Sequence, residues 1–203
     1  MFRFSRNLRL VQKLFTIMDS IMSEFEEFDA DGIKWRYRVR DGVALLTGAE
    51  GVSESMTIPP SLGGYPVTKI TDGAFEFCLG LRSVAIPDSV TSIGRYAFFL
   101  HGNLESISVD VNNPKYCSRN GLLLSKNGKT LIMGRGGEVT IPAGVTSIGD
   151  CAFSNCKRLN SVTIPNSVKR IGCSVFAWGV GLHWHFPQGS GYAKNWLKTD
   201  ILC

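Results

Sequence analysis

A 23-residue repeat governs what this chain can become. Ile70, Ile93, Ile148 and Ile171 recur at intervals of 23, 55 and 23 residues, and Phe75, Phe98, Phe153 and Phe176 keep the same intervals, as do Leu81, Leu104, Leu159 and Leu182. The long interval holds one more copy of 23, because Ser106-Ile107-Ser108-Val109 matches Ser83-Val84-Ala85-Ile86, followed by an enlarged unit of 32. A unit this short has no second layer to cover its apolar face, so its neighbours must cover it and the copies must stack. About six right-handed coils of a β-rich solenoid are expected.

One unit runs Leu81-x-x-Val84-x-Ile86-Pro87-x-x-Val90-x-x-Ile93-Gly94-x-x-Ala97-Phe98, preceded by the link Phe75-x-x-Cys78-x-x-Leu81. Val84 and Ile86 are two apart, so in a strand they share the inward face while Ser83 and Ala85 take the other. Pro87 stops the strand because it has no N–H for a ladder. Val90 and Ile93 aim a second short segment inward, Gly94 permits the bend, and Ala97 and Phe98 return to the core. The enlarged unit reads as an insert hairpin over 111–136 with Asn127-Gly128 at its turn.

The unit closely resembles the BspA-like leucine-rich repeat family, whose pattern is Leu-x-x-Val-x-Ile-Pro-x-x-Val-x-x-Ile-Gly-x-x-Ala-Phe-x-x-Cys. The resemblance covers about residues 56–187. His101 and Gly179 depart from it, standing where Cys78 and Cys156 stand in other copies. It implies a leucine-rich-repeat solenoid that binds another protein, often at bacterial or protist cell surfaces, and it brings no catalytic residues and no cofactor.

A solenoid exposes apolar surface at both ends and needs atypical caps there. Residues 33–40 alternate strictly, with Ile33, Trp35, Tyr37 and Val39 on one face and Lys34, Arg36, Arg38 and Arg40 on the other, before Asp41-Gly42 turns into Val43-Ala44-Leu45-Leu46. This predicts a capping hairpin within 23–55. Its four basic residues are either an anionic-ligand patch or charges that guard an edge strand. Before it, residues 1–22 carry Leu8, Val11, Phe15, Met18 and Met22 at helical spacing. This amphipathic helix fits three roles: a peripheral membrane contact, a helix packed on the first coil, or a non-native leader ahead of Met22. Residues 188–203, with Tyr192, Trp196 and Leu197, are expected to fold over the last coil.

Composition narrows the classes. The formal net charge is +5, but Arg3, Arg6, Arg9 and Lys13 against Asp19 place +3 in the first 22 residues. The body of the chain lacks the basic stripe that phosphate binding requires, so no nucleic-acid partner is expected. No apolar run reaches the length of a spanning helix. The six cysteines sit in a chain with its own core, Cys78 and Cys156 fall at equivalent repeat positions, and free thiols are expected.

Reactive constellations are sparse. Ser154-x-x-Lys157 has the spacing of a lysine-activated serine nucleophile without the companion motifs, which makes a hydrolase a remote reading. His183 and His185 are two apart in the last strand and share a face, but no third metal ligand accompanies them. The candidate binding surface is the outward strand face, Ser83 and Ala85, Ser106 and Ser108, Ser161 and Thr163, His183 and His185, expected as one continuous column. Trp178 in the last inter-coil turn is its candidate anchor. A binding module is thus the first reading and an intracellular scaffold repeat the second.

Overall fold

A computed structural model describes residues 23–76, 78–98 and 102–177 of the chain, with the backbone alone at 183–185. Among the described residues every regular element is a strand. The expected helix in residues 1–22, the C-terminal cap at 188–203 and Trp178 lie outside the described residues.

The chain opens with a three-stranded antiparallel meander of β1 (Glu24–Phe28), β2 (Lys34–Arg40) and β3 (Val43–Glu50). The β2–β3 hairpin is the predicted one. Asp41 and Gly42 both take positive φ, 52° and 76°, which is the geometry a two-residue turn matched to strand twist demands. Ile33, Trp35 and Tyr37 are buried as the alternation requires. The strand β1 is an addition that periodicity did not announce, because its apolar residues Phe25 and Phe28 do not alternate.

The solenoid follows as two columns of short strands. The first coil contributes β4 (Ser55–Thr57), then β5 (Ser61–Leu62) and β6 (Tyr65–Ile70); the second contributes β7 (Ser83–Ile86) and β8 (Ser92–Ile93). The third begins with β9 (Ser106–Val109) and leads into β10 (Tyr116–Arg119), β11 (Leu122–Ser125) and β12 (Thr130–Met133). Then come β13 (Gly137–Thr140) with β14 (Ser147–Ile148), β15 (Leu159–Thr163) with β16 (Arg170–Ile171), and β17 (His183–His185). Among the described residues six strands of the first column bound about five turns, and β17 opens a further coil that the described residues do not complete.

Parallel pairing joins equivalent residues of successive coils, Val84 with Ile107 and Ile70 with Ile93, so the 23-residue period is the hydrogen-bond register itself. The inward set is the predicted one, except that Ile93 and Phe176 are only half-buried against the core. Leu81, Val84, Ile86, Val90 and Ala97 are buried, as are Phe75, Phe98 and Phe153, and Cys78 and Cys156 fill the same apolar place in their turns. Burying each of the Leu, Val, Ile and Phe side chains stabilises by about 1.5–3 kcal/mol.

Gly94 needs a different explanation from the one its sequence suggests. Its φ is not positive, and a Cβ there would lie 2.5 Å from the Asp72 backbone nitrogen of the coil below. Gly172 meets Asp150 in the same way, with the same 2.5 Å approach. The repeat demands glycine because adjacent coils stack backbone on backbone, whereas Thr71 fits in the first coil because it rests on β3, donating N–H and O–H to the Leu46 carbonyl.

The enlarged unit is a meander of three strands where one hairpin was expected. Asn120 and Gly121 make a first turn with φ of 54° and 75°, and the expected Asn127-Gly128 turn makes the second. β12 then enters the second column by pairing Leu131 with Ile148. Only Gly134–Gly136 separate β12 from β13, where a full Phe-containing turn separates β8 from β9. The second column therefore gains layers at this point while the turn column loses one.

Candidate binding surface

The register places the outward candidates in rows. Ser55, Ser83 and Ser106 align, as do Thr57, Ala85 and Ser108. Farther along, Glu138, Ser161 and His183 align, and Thr140, Thr163 and His185. Ser106, Ser108 and Thr163 are exposed, while Ser83, Ala85 and Ser161 are half-buried between neighbouring coils. The backbone of β17 sets the positions of His183 and His185, and their side chains lie outside the described residues.

The expected single column is corrected to two blocks. β4, β7 and β9 form one sheet and β13, β15 and β17 another. The open edge of β9 is taken by the meander, since Ile107 N–H donates to the Gly121 carbonyl at 3.0 Å and Val109 N–H to Ser118 Oγ at 3.1 Å. One backbone bond crosses the break, from Gly136 N–H to the Leu104 carbonyl at 2.7 Å. Arg135 ties the two sides further by donating to the carbonyls of Asn120, Gly136 and Glu138.

A ladder of alternating charge borders the first block. Arg82 contacts Glu54 at 3.4 Å and Glu105 at 3.1 Å, and Arg158 reaches Glu105 at 2.7 Å across the break. The sequence carried a readable signal for part of it: Arg82 and Glu105 occupy the same repeat position, 23 residues apart. Arg158 was not foreseeable, because its route to Glu105 depends on the missing turn. Gly136 leaves that route open, and a Cβ there would stand 2.9 Å from Arg158 Cβ.

The missing turn also brings Arg95, Tyr96, Phe98 and Gly102 against the 150–158 segment. Arg95 bonds Asp150 at 2.6 Å, and a cavity of about 40 Å³ lies between Tyr96 and Phe98 on one side and Met133, Cys151 and Ala152 on the other. Burial, reinforced by the Asp150 carboxylate, raises the Cys151 thiol above its ordinary value. Burial alone pushes Cys156 up to about 12, so this thiol is a neutral core group at physiological pH. Neither is a prepared nucleophile.

The other candidates are dispersed. Ser154 is half-buried and Lys157 exposed, its stem against Gly102, and among the described residues no hydrogen bond joins the pair. The basic face of the cap is matched by acids: Lys34 bonds Glu26 at 2.8 Å, Arg36 and Arg38 lie 3.6 Å and 4.0 Å from Glu50 and Glu24, and Arg40 lies 3.6 Å from Asp41. β1, the end of β3 and the Asp41 turn supply those carboxylates, which offset the charge an anionic ligand would seek, and because β2 is paired on both sides its basic residues do not guard an edge strand as the other reading expected.

The model of the BspA-type leucine-rich repeat region matches residues 53–121 and 136–182 in six copies. The chain belongs to the BspA-type leucine-rich repeat family. Solved leucine-rich repeat proteins resemble it. One from Eubacterium ventriosum is 25% identical with a TM-score of 0.47, covering 66% of this chain and 42% of its own. One from Bacteroides capillosus is 26% identical with a TM-score of 0.41, covering 75% and 94% respectively. A leucine-rich cell surface protein from Faecalibacterium prausnitzii is 19% identical with a TM-score of 0.45, covering 80% and 76%. The chain spans less than half the length of the Eubacterium protein. No curated protein matches it.

Proposed function

We propose that this BspA-type repeat chain is a non-catalytic module that binds another protein through the outward face of its first strand column. The observation that carries this reading is the register. Equivalent outward residues of successive coils stand side by side over a buried Met56, Val84 and Ile107 or Val139 and Val162. Outward side chains can then vary without disturbing the core, which separates specificity from stability. The two blocks make two subsites, β4-β7-β9 and β13-β15-β17, with the charge ladder along one rim. The positions of His183 and His185 on β17 belong to the second, and Trp178 is its candidate anchor on the sequence alone.

The test uses Ser106→Arg in one block and Ser161→Arg in the other, against a partner captured from cell extracts. Each is expected to weaken binding at least about tenfold by bulk and charge while leaving the melting midpoint nearly unchanged. If both bind as the unaltered chain does, and changes at Thr91, Ser147 and Arg170 on the second column abolish binding, the interface is on the other side. The surface location that the family resemblance implies is tested by fractionating source cells. Recovery only from the soluble interior supports the scaffold reading.

A further inference from the structure

The cap carries a surface that the strand-face reading does not use. Among the described residues β1 pairs with β2 alone, and all five of its residues are exposed, Phe28 at 68% and Phe25 at 38%. A free edge presents a row of backbone N–H and C=O groups that another strand can complete. The side chains decide which strand. Glu24, Glu26 and Phe28 share one face; Phe25 and Glu27 share the other, where Phe25 packs on Tyr37 at 5.6 Å and Glu27 accepts the Gly63 N–H at 2.7 Å. Tyr65, also exposed, continues the aromatic surface beside Tyr37.

A second copy of β1 is a poor occupant. Antiparallel pairing about Glu26 sets that carboxylate against its own copy and lines two strands with acids, which is unfavourable for directly opposed like charges. The complement is already displayed on the other edge. There β2, Lys34-Trp35-Arg36-Tyr37-Arg38-Val39-Arg40, alternates basic and apolar residues, and its Lys34 and Arg38 meet Glu26 and Glu24. We propose that the open edge of β1 takes up, by strand addition, an extended segment of a partner protein that alternates Lys or Arg with apolar residues. Its basic side chains lie beside Glu24 and Glu26, and its apolar side chains lie beside Phe25.

The probe is a blocked peptide of β2's own sequence, Lys-Trp-Arg-Tyr-Arg-Val-Arg, added to the full 203-residue chain. Saturable binding is expected, weakening with salt, together with slowing of amide exchange at Glu24–Phe28 on the order of tenfold. A scrambled peptide of the same composition is expected to bind at least about tenfold more weakly. Two further peptides carry N-methyl groups on alternate residues, one set on each edge. Strand addition requires that one set loses binding and the other keeps it. Equal binding by both sets means that charge alone attracts the peptide, and overturns the proposal. So does protection, before peptide is added and unchanged by it, of those β1 amides that face away from β2, because another segment then already holds the edge.

Discussion

Two joints in this solenoid teach different things. Between the first and second coils, Arg95 N–H donates to Asp72 Oδ1 at 2.9 Å, Gly94 lies directly on the Asp72 backbone, and the rings of Phe75 and Phe98 meet at 5.0 Å. The last joint repeats it: Cys173 N–H donates to Asp150 Oδ1 at 2.9 Å, Gly172 lies on Asp150, and Phe153 stacks on Phe176 at 5.3 Å. The middle joint has none of this backbone geometry. Arg95 reaches Asp150, 55 residues away, through its guanidinium. The buried residues fall into two clusters there, one running from Ile33 to Ile107 with Leu123 and the other from Leu122 to Val175. Where the repeat keeps its length, coils stack backbone on backbone; where it lengthens, isolated backbone bonds such as Gly136 N–H to the Leu104 carbonyl remain and side chains such as Arg95 supply the rest of the contact.

The largest effect should come from the ring that fills the middle joint. Phe153 is fully buried, and a Cβ on Gly134 would lie 2.0 Å from its ring. Phe153→Ala is expected to lower the unfolding free energy by about 3–5 kcal/mol through lost burial and a residual cavity. Gly134→Ala should cost about 1–3 kcal/mol by overpacking, and nearly nothing once Phe153 is alanine. Denaturant midpoints of the four proteins close this cycle. Equal costs for Gly134→Ala in both backgrounds would show that the ring does not seat against this glycine and would remove the account given of the missing turn.

The repeat was legible because its period is a physical constraint, and its exceptions were not because they depend on distant pairing. Phe75, Leu81, Val84 and Ile86 could be assigned inward from spacing alone, since period-2 alternation and coil stacking leave one answer. The Asp41-Gly42 turn was equally readable. The split of the strand face was not, because no local pattern says that Gly121 and Ser118 will occupy the edge of β9. Nor was the neutralisation of Lys34 and Arg38, which required a strand at Glu24–Phe28 whose sequence lacks alternation. Gly94 shows a subtler gap: the residue was singled out correctly, but its reason is close approach and not a bend.

An intermediate effect separates the two cores by pH. Cys156 in the second core holds its proton up to about 12, against an ordinary value of 9.0, because burial disfavours the thiolate. Below pH 9 the thiol is neutral in both folded and unfolded chains, so stability there is unaffected. Above pH 9 the unfolded chain releases this proton and the folded chain keeps it, so stability falls by up to about 1.4 kcal/mol per pH unit until the folded value is reached. Cys156→Ala should flatten the alkaline loss measured by denaturant unfolding between pH 9 and pH 11. An unchanged slope would mean that the second core admits water to this thiol.

The smallest effect is expected from the charges that bridge the middle joint. Arg95–Asp150 and Arg158–Glu105 are short, at 2.6 Å and 2.7 Å, yet Arg95 is 58% exposed and both members of the second pair are about half exposed. Exposed pairs gain little in water and are screened by salt, and both long side chains give up rotamer freedom to hold one geometry. Arg95→Gln and Arg158→Gln should therefore shift the melting midpoint far less than Phe153→Ala does, with the difference vanishing at high salt. The regular joints provide the control, because Arg82–Glu105 spans equivalent positions of adjacent coils whose backbones are already paired. Arg82→Gln should be as mild as Arg158→Gln if apolar contact holds the middle joint. A loss confined to Arg95→Gln and Arg158→Gln, and comparable with that of Phe153→Ala, would show instead that charge does there what backbone stacking does elsewhere.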